Sequence, residues 1–403
     1  MRWFGYAAVA LLLTCGTAAA ATSAGSSSSA SKNLLLNPGF EKGVSDHPWM
    51  PAAWDTFQSG LNTVFFGRDT LMRHSGRYAV SIANLSSYVP MFHNWSQSLV
   101  VGRELWGKDV VFTAWTHSDG LQGRAYILVQ AYRDTITKMS KIWKIDREAA
   151  RTRLKILKSD DPIVTLGWSR DYFSDPETDW MKREVRIFVP PSTNVIVVRC
   201  GIFGVGQVMF DDASLVPQTA RKPEALPLQT NLFKDPGFEG SGDDWEYSMP
   251  PYEGLEIVKD TTVAHSGRAS MRMDGGVDGP IQVRTGVCQS IVNRDLVGKR
   301  MRMSGYVKTD SLQGNAYIMA YCATTDGDVY DVAPGQFGMN TDWTKTETEF
   351  DVPPGTLMVW GWFLFNCPAR GRVYFDDVSL EVLGPASYVQ NGTAPPKPKM
   401  PGH

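Results

Sequence analysis

The sequence predicts an all-β protein built as two tandem copies of one β-sandwich domain. Three observations carry that expectation. Apolar residues recur with a period of two along most of the chain. The 37 Gly and 24 Pro supply turns rather than helix interiors, and a set of motifs met between residues 33 and 216 returns in the same order between 231 and 382. A chain of 403 residues suits two domains of ordinary size, and 43% hydrophobic with 20% charged residues is a globular composition. With 40 Lys and Arg against 42 Asp and Glu the formal charge is -2, so no basic field draws nucleic acid or an anionic membrane.

The repeat defines the domains. Asn33-Leu34-Leu35-Leu36-Asn37-Pro38-Gly39-Phe40-Glu41 is answered by Asn231-Leu232-Phe233-Lys234-Asp235-Pro236-Gly237-Phe238-Glu239, and His74-Ser75-Gly76-Arg77 by His265-Ser266-Gly267-Arg268. Leu121-Gln122-Gly123 returns as Leu312-Gln313-Gly314, Trp180 as Trp343, Val189-Pro190-Pro191 as Val352-Pro353-Pro354, and Phe210-Asp211-Asp212 as Phe375-Asp376-Asp377. The domains are therefore 33–217 and 231–383, joined by a linker over 218–230 and followed by a Pro- and Lys-bearing tail, 384–403, expected to be unstructured. The offset between copies falls from 191 to 163 after the Leu-Gln-Gly match, which gives the first domain 28 extra residues within about 133–179. In that insertion Asp146 to Lys158 reads as a short helix, with Asp146 as N-cap.

The amino terminus reads as an address. Arg2, the apolar stretch Ala7 to Leu13 and Ala18-Ala19-Ala20 form a secretory signal over 1–20, with a Ser/Ala-rich leader over 21–32. The protein is thus expected outside the cell. Leu12-Leu13-Thr14-Cys15 approximates a lipobox, the alternative being a lipid tether on Cys15. No later run is long enough for a transmembrane helix.

Alternation assigns strand faces. Tyr306 leaves the core side of its strand, as do Tyr317 and Tyr321 of the next, and Trp360 and Trp362 of a third. The first domain turns out Trp115, Tyr126, Gln130, Tyr132, Val197 and Arg199. Flat rings beside hydrogen-bonding groups suit a sugar, whose apolar ring faces stack and whose hydroxyls need donors and acceptors. The same pattern also suits rings packed under loops or against the other domain, and alternation does not decide between the two.

Taken together, the opening Asn-Pro-Gly-Phe-Glu run, the His-Ser-Gly-Arg turn, the Trp343 to Pro354 segment with its partner Trp180 to Pro191, and the closing Phe-Asp-Asp-x-Ser-Leu resemble carbohydrate-binding modules of the family 4/9 and family 22 type. The resemblance implies a jelly roll in each domain, a concave face holding one polysaccharide chain, and a structural calcium where first and last strands meet. Carried onto this sequence, the calcium candidates are Glu41 with Asp211 or Asp212, and Glu239 with Asp376 or Asp377. Without the resemblance, the Asp-Asp pair has a plainer reading: Phe375 and Leu380 fall on opposite parities, so an extra residue must bulge the strand.

Non-catalytic polysaccharide binding is the first expectation. The enzyme alternative, a jelly-roll glycosidase or lyase, needs a paired-carboxylate or a Tyr/His/Arg constellation in a cleft, and the insertion offers the acids Asp171, Asp175, Glu177 and Asp179. A cell-envelope adhesion protein with vestigial sugar sites is the third class. Cys322 and Cys367, both on inward parity, are the pair chosen for a bridge if the mature protein holds one, against all mature cysteines being buried thiols.

Overall fold

The computed structural model describes residues 32–58, 63–85, 92–134, 163–222, 226–240, 244–247, 255–275, 285–324, 327–332, 337 and 339–396. The signal, nearly all of the leader, and the helix Asp146–Lys158 lie outside the described residues. Within them no helix is long and apolar enough to cross a membrane. The first domain comprises β1 (Gly43–Val44), β2 (His47–Pro51), β3 (Asp55–Gln58), β4 (Val64–Asp69), β5 (Ala79–Asn84), β6 (Phe92–Val100), β7 (Lys108–Asp134), β8 (Ile163–Phe173), β9 (Thr178–Phe188) and β10 (Val195–Thr219). The second comprises β11 (Glu246–Tyr247), β12 (Leu255–Asp260), β13 (Ser270–Gly275), β14 (Thr285–Ile291), β15 (Lys299–Thr324), β16 (Gly327–Val332), β17 (Thr341–Asp351) and β18 (Thr356–Pro385). The all-β jelly-roll expectation holds.

Two long strands build each sandwich. Residues 124–132 of β7 pair with 195–203 of β10 in a front sheet, completed by β3 and β6 on one side and β8 on the other. Residues 108–119 pair with 207–219 in a back sheet, flanked by β5, β4 and β9. In the second domain β15 and β18 divide in the same way, with β14, β11 and β16 in front and β13, β12 and β17 behind.

The strands cross between sheets at glycine corners. Gly123 and Gly206 hold φ of +100° and +110°, a region that side chains with a Cβ avoid. A Cβ on Gly206 would strike the Gly120 carbonyl. Gly314 and Gly371 repeat the corner at +120° and +96°. The Leu-Gln-Gly motif is therefore the signature of this crossing, and Leu121 and Leu312 beside it are buried.

Each sandwich encloses its own core, with Phe40, Trp54, Trp95 and Phe210 in the first and Phe238, Trp245, Phe363 and Phe375 in the second. The opening motif feeds these cores. Left-handed Asn37 and Phe40, at φ +49° and +56°, turn Phe40 onto Trp54 with ring centroids 4.8 Å apart, and Trp54 Nε1 donates to the Asn37 carbonyl at 3.2 Å. Asp235, Phe238 and Trp245 repeat this at 4.9 Å and 3.0 Å. Each such ring contributes about 1.5–3 kcal/mol by leaving water.

Three expectations are corrected here. The segment read as an insertion also holds a sheet strand, β8, which pairs with the end of β7 and has β16 as its shorter counterpart. The tail is ordered at its start: β18 runs to Pro385, and helix α1 (Ser387–Asn391) follows. The first residue of α1, Ser387, accepts from Arg300 Nη1 at 2.7 Å, and Tyr388 Oη donates to the Val352 carbonyl at 2.8 Å. The bridge fails on position along the strand. Cys322 sits opposite Val359, whereas Cys367 lies eight residues further along β18. At about 3.3 Å per residue that is on the order of 25 Å, against the roughly 7 Å between Cα atoms that a disulfide tolerates. Cys200 and Cys288 are buried thiols.

Gly206→Ala is expected to cost about 2 kcal/mol or more, since strain and collision add. Gly107→Ala, at φ +76° but with open space around its Cβ position, should cost about 1 kcal/mol from strain alone. Urea unfolding of the two variants measures the difference.

Candidate functional site

The repeated polar motifs meet on the back sheets. Asp211 Oδ2 accepts the backbone N–H groups of His74 and Ser75, each at 3.0 Å, and Oδ1 accepts that of Asp212 at 2.7 Å. Asp212 holds His74 Nδ1 at 2.7 Å and Ser75 Oγ at 2.9 Å, while Glu41 accepts from the N–H of Arg77 at 2.8 Å. In the second copy Asp376 takes His265 and Ser266 at 2.7 and 3.2 Å, Asp377 takes His265 Nδ1 and Ser266 Oγ, and Glu239 takes Arg268 at 2.6 Å. Asp212 and Asp377 have φ of +45° and +46°, and the β7–β10 and β15–β18 registers shift at these pairs. The bulge that the parity of Phe375 and Leu380 demands is present, and both side chains are fully buried.

Burial pushes the Asp211 carboxyl up to about 6 and Asp376 upward as well, against the pull of their N–H donors. Glu239 is held down by the N–H of Arg268. The three second-copy carboxylates surround Gly237: a Cβ there would lie 3.7 Å from Glu239 Cγ and 3.9 Å from Oδ1 of both Asp376 and Asp377. Among the described residues no three His, Cys, Asp or Glu converge as a metal-binding group.

Trp115 and Tyr306 belong to this clip, on the back sheets. Trp115 stacks on His74 at 3.8 Å and Tyr306 on His265 at 3.6 Å, with Trp180 and Trp343 edge-on to the same imidazoles. Their outward parity is correct. Both precede the glycine corner, so their outside is that of the back sheet, the opposite surface from Tyr126 and Tyr317.

On the first front sheet, β8 sets Tyr172, Arg170 and Trp168 beside Tyr126, Leu128 and Gln130. Tyr126 is 3% exposed, lies across Gly201 where a Cβ would strike its ring, and accepts from Asn94 Nδ2 at 3.2 Å. Burial raises the Tyr126 phenol far above its usual range and takes Tyr172 to about 12. Arg199 donates to Gln130 Oε1. On the second front sheet the register places Tyr321 beside Trp360, Met319 beside Trp362 and Tyr317 beside Leu364, with Ser290 and Cys288 on the other side.

These two front surfaces meet. Arg170 donates to the Glu246 carboxylate and to Ser290 Oγ at 3.3 Å, and its guanidinium lies 5.2 Å from the Trp360 ring centroid. Trp168 packs against Cys288, Met358 and Trp360, with Tyr321 and Trp362 at the margin. Arg124 donates to the Trp245 carbonyl. Trp360, 9% exposed, stacks on Trp362 at 5.5 Å. Of the two readings that alternation left open, packing against the other domain applies to Trp360. Tyr317, Tyr321, Trp362, Trp168 and Tyr172 stay half-buried. Glu246 is pushed up by burial despite the Arg170 charge beside it.

Arg170, Glu246 and Ser290 escaped the sequence reading. A signal existed: Leu166, Trp168, Arg170 and Tyr172 alternate with period two inside a segment credited to insertion and helix. The acids expected there, Asp171 and Asp175, lie 3.9 and 3.5 Å from Arg183 as an open ion-pair cluster.

No family model matches the chain, and no curated protein does. Among solved structures it is similar to the tandem CBM22-1–CBM22-2 domain of Paenibacillus barcinonensis Xyn10C, at 13% identity over 89% of this chain and 100% of that one, with a TM-score of 0.31. It is also similar to the C-terminal family 22 carbohydrate-binding module of Clostridium thermocellum Xyn10B, at 15% identity over 41% of this chain and 99% of that one, TM-score 0.31. A third likeness is to the enzymatically active domain of bacteriophage CBA120 tailspike protein 4, at 13% identity over 38% of this chain and 21% of that one, TM-score 0.30. Likenesses this distant carry neither ligand nor activity to this chain.

Two outcomes are expected of variants. Asp376→Ala strips acceptors from three backbone N–H groups and should cost about 3 kcal/mol, read as a fall in the urea midpoint. Arg170→Ala leaves the Glu246 charge buried and should also cost about 3 kcal/mol near neutral pH. Because the Glu246 pKa lies above its unfolded value, the protonated acid is the form the seam tolerates, so that penalty should shrink as pH falls through the raised pKa. Parallel melts across pH 4 to 8 test the sign.

Proposed function

We propose that this chain is an exported polysaccharide-binding protein whose glycan lies along the cleft where the two front sheets meet. The observation that carries the reading is the gathering there of half-buried rings, Tyr317, Tyr321, Trp362, Trp168 and Tyr172, beside Arg199, Gln130 and Ser290. Rings held at partial exposure offer a stacking face, and the polar groups between them serve hydroxyls. Tyr126 backs this surface and shapes it, its own ring being covered.

One observation favours the adhesion reading. Trp360 and Arg170 join the domains, so part of the aromatic surface serves as an interface. A glycan panel incubated with the full-length protein, assayed for retention and for new reducing or unsaturated ends, separates the classes: retention alone supports binding, new ends support an enzyme, and neither leaves adhesion. Trp362→Ala should weaken retention about tenfold, the scale of a lost stacking ring. Undiminished retention by Trp362→Ala removes this cleft as the site.

Calcium at the carboxylate clips belongs to the same proposal, held by Glu41, Asp211 and Asp212 and by Glu239, Asp376 and Asp377. The approach of two hard oxygens, Oδ1 of Asp376 and Oδ1 of Asp377, to Gly237 supports it. A cation there would compete with the N–H donors that these carboxylates accept. Chelated protein titrated with calcium should melt at rising temperature as free calcium rises. Indifference to both chelator and calcium removes the metal from the proposal.

A further inference from the structure

A second recess opens at one end of the seam and shares Trp168 with the rings just described. It is a cavity of about 510 Å³ walled on one side by Trp168, Arg186 and Phe188, on the other by Asn293 to Asp295 and Gly355 to Leu357, with Arg221 and Lys222 of the linker at its margin. The linker is fixed there. The Arg221 N–H donates to Asp109 at 3.0 Å, and the Arg221 carbonyl accepts from Arg294 Nη2 at 2.7 Å. Asp109 also lies 3.5 Å from Arg186, so those two charges offset each other.

Three cations remain. Among the described residues the side chains of Arg221, Lys222 and Arg294 have no carboxylate within ion-pairing distance, and Asp295 is the one other acid lining the cavity. Arg294 instead lies over the Phe188 ring, 4.3 Å from its centroid. Two buried donors at the wall, Trp168 Nε1 and Arg186 Nε, have no partner. A recess with surplus positive charge, two flat ring walls and unmet N–H donors is shaped for a ligand that is ring-like, hydroxylated and anionic.

We propose that this cavity binds a carboxylate-bearing sugar unit, a hexuronate, and so selects acidic polysaccharides. The inference rests on the glycan-binding reading above and adds its substrate class. Arg294 and Lys222 take the carboxylate, Phe188 and Trp168 bound the pyranose ring, and Asn293 serves a hydroxyl.

The test uses the full chain and isothermal titration with trigalacturonate, with its methyl ester as a neutral partner of the same shape. The acid should bind at least tenfold more tightly than the ester, and the difference should shrink as ionic strength rises. A Lys222→Ala, Arg294→Ala double variant should lose that preference while retaining neutral glycans on the front cleft. Equal binding of acid and ester, or a preference unchanged in the double variant, overturns the site. Retention of neutral glycans alongside such a failure leaves the proposed function standing, whereas binding of no glycan at all overturns both.

Discussion

The fold depends on a buried carboxylate accepting backbone N–H groups from a distant turn. Asp211 and Asp376 each stand in the last long strand and hold the His-Ser-Gly-Arg turn that precedes β5 or β13. The neighbouring Glu41 or Glu239 reaches the same turn from the opening segment. First, middle and last parts of each domain therefore converge on one charge-assisted set of hydrogen bonds. The bulge that frees these side chains also restores the inward parity of Leu215 and Leu380, so core packing and polar closure are one constraint.

A different balance operates between the domains. Arg170 and Glu246 have side chains only 12% and 16% exposed, and a pair this deep returns little net energy once desolvation is counted. What it supplies is register. The guanidinium lies within 4.8 to 5.2 Å of the ring centroids of Trp168, Tyr172 and Trp360, and its hydrogen bonds to Glu246 and Ser290 fix how β8 lies on the second front sheet. Apolar contact of Trp168 with Met358 and Cys288 then adds area that needs no orientation.

Much of the fold was legible because duplication printed it twice. The paired Asn-Pro-Gly-Phe-Glu, Leu-Gln-Gly and Phe-Asp-Asp runs correspond to the Phe–Trp core contact, the glycine corner and the bulge. Alternation gave the correct parity for Tyr317, Tyr321, Trp360 and Trp362. It misplaced Trp115 and Tyr306 because parity states only that a side chain leaves the core. A strand that changes sheet exchanges one outside for the other. The seam was illegible for a different reason: the registers that hold Trp168 and Arg170 on β8 hold Tyr330 and Val332 on the shorter β16, and contacts between copies leave no trace in a repeat.

Joining the front surfaces makes the pair, and not the single module, the smallest transferable part. Cutting the linker would bare Trp360, Met358 and the Glu246 carboxylate together, an apolar patch with a charge whose partner has gone. Such a fragment would seek any aromatic or cationic surface available, including its own copies. Strand β8, longer than its counterpart β16, thus joins two copies of one domain into a single unit.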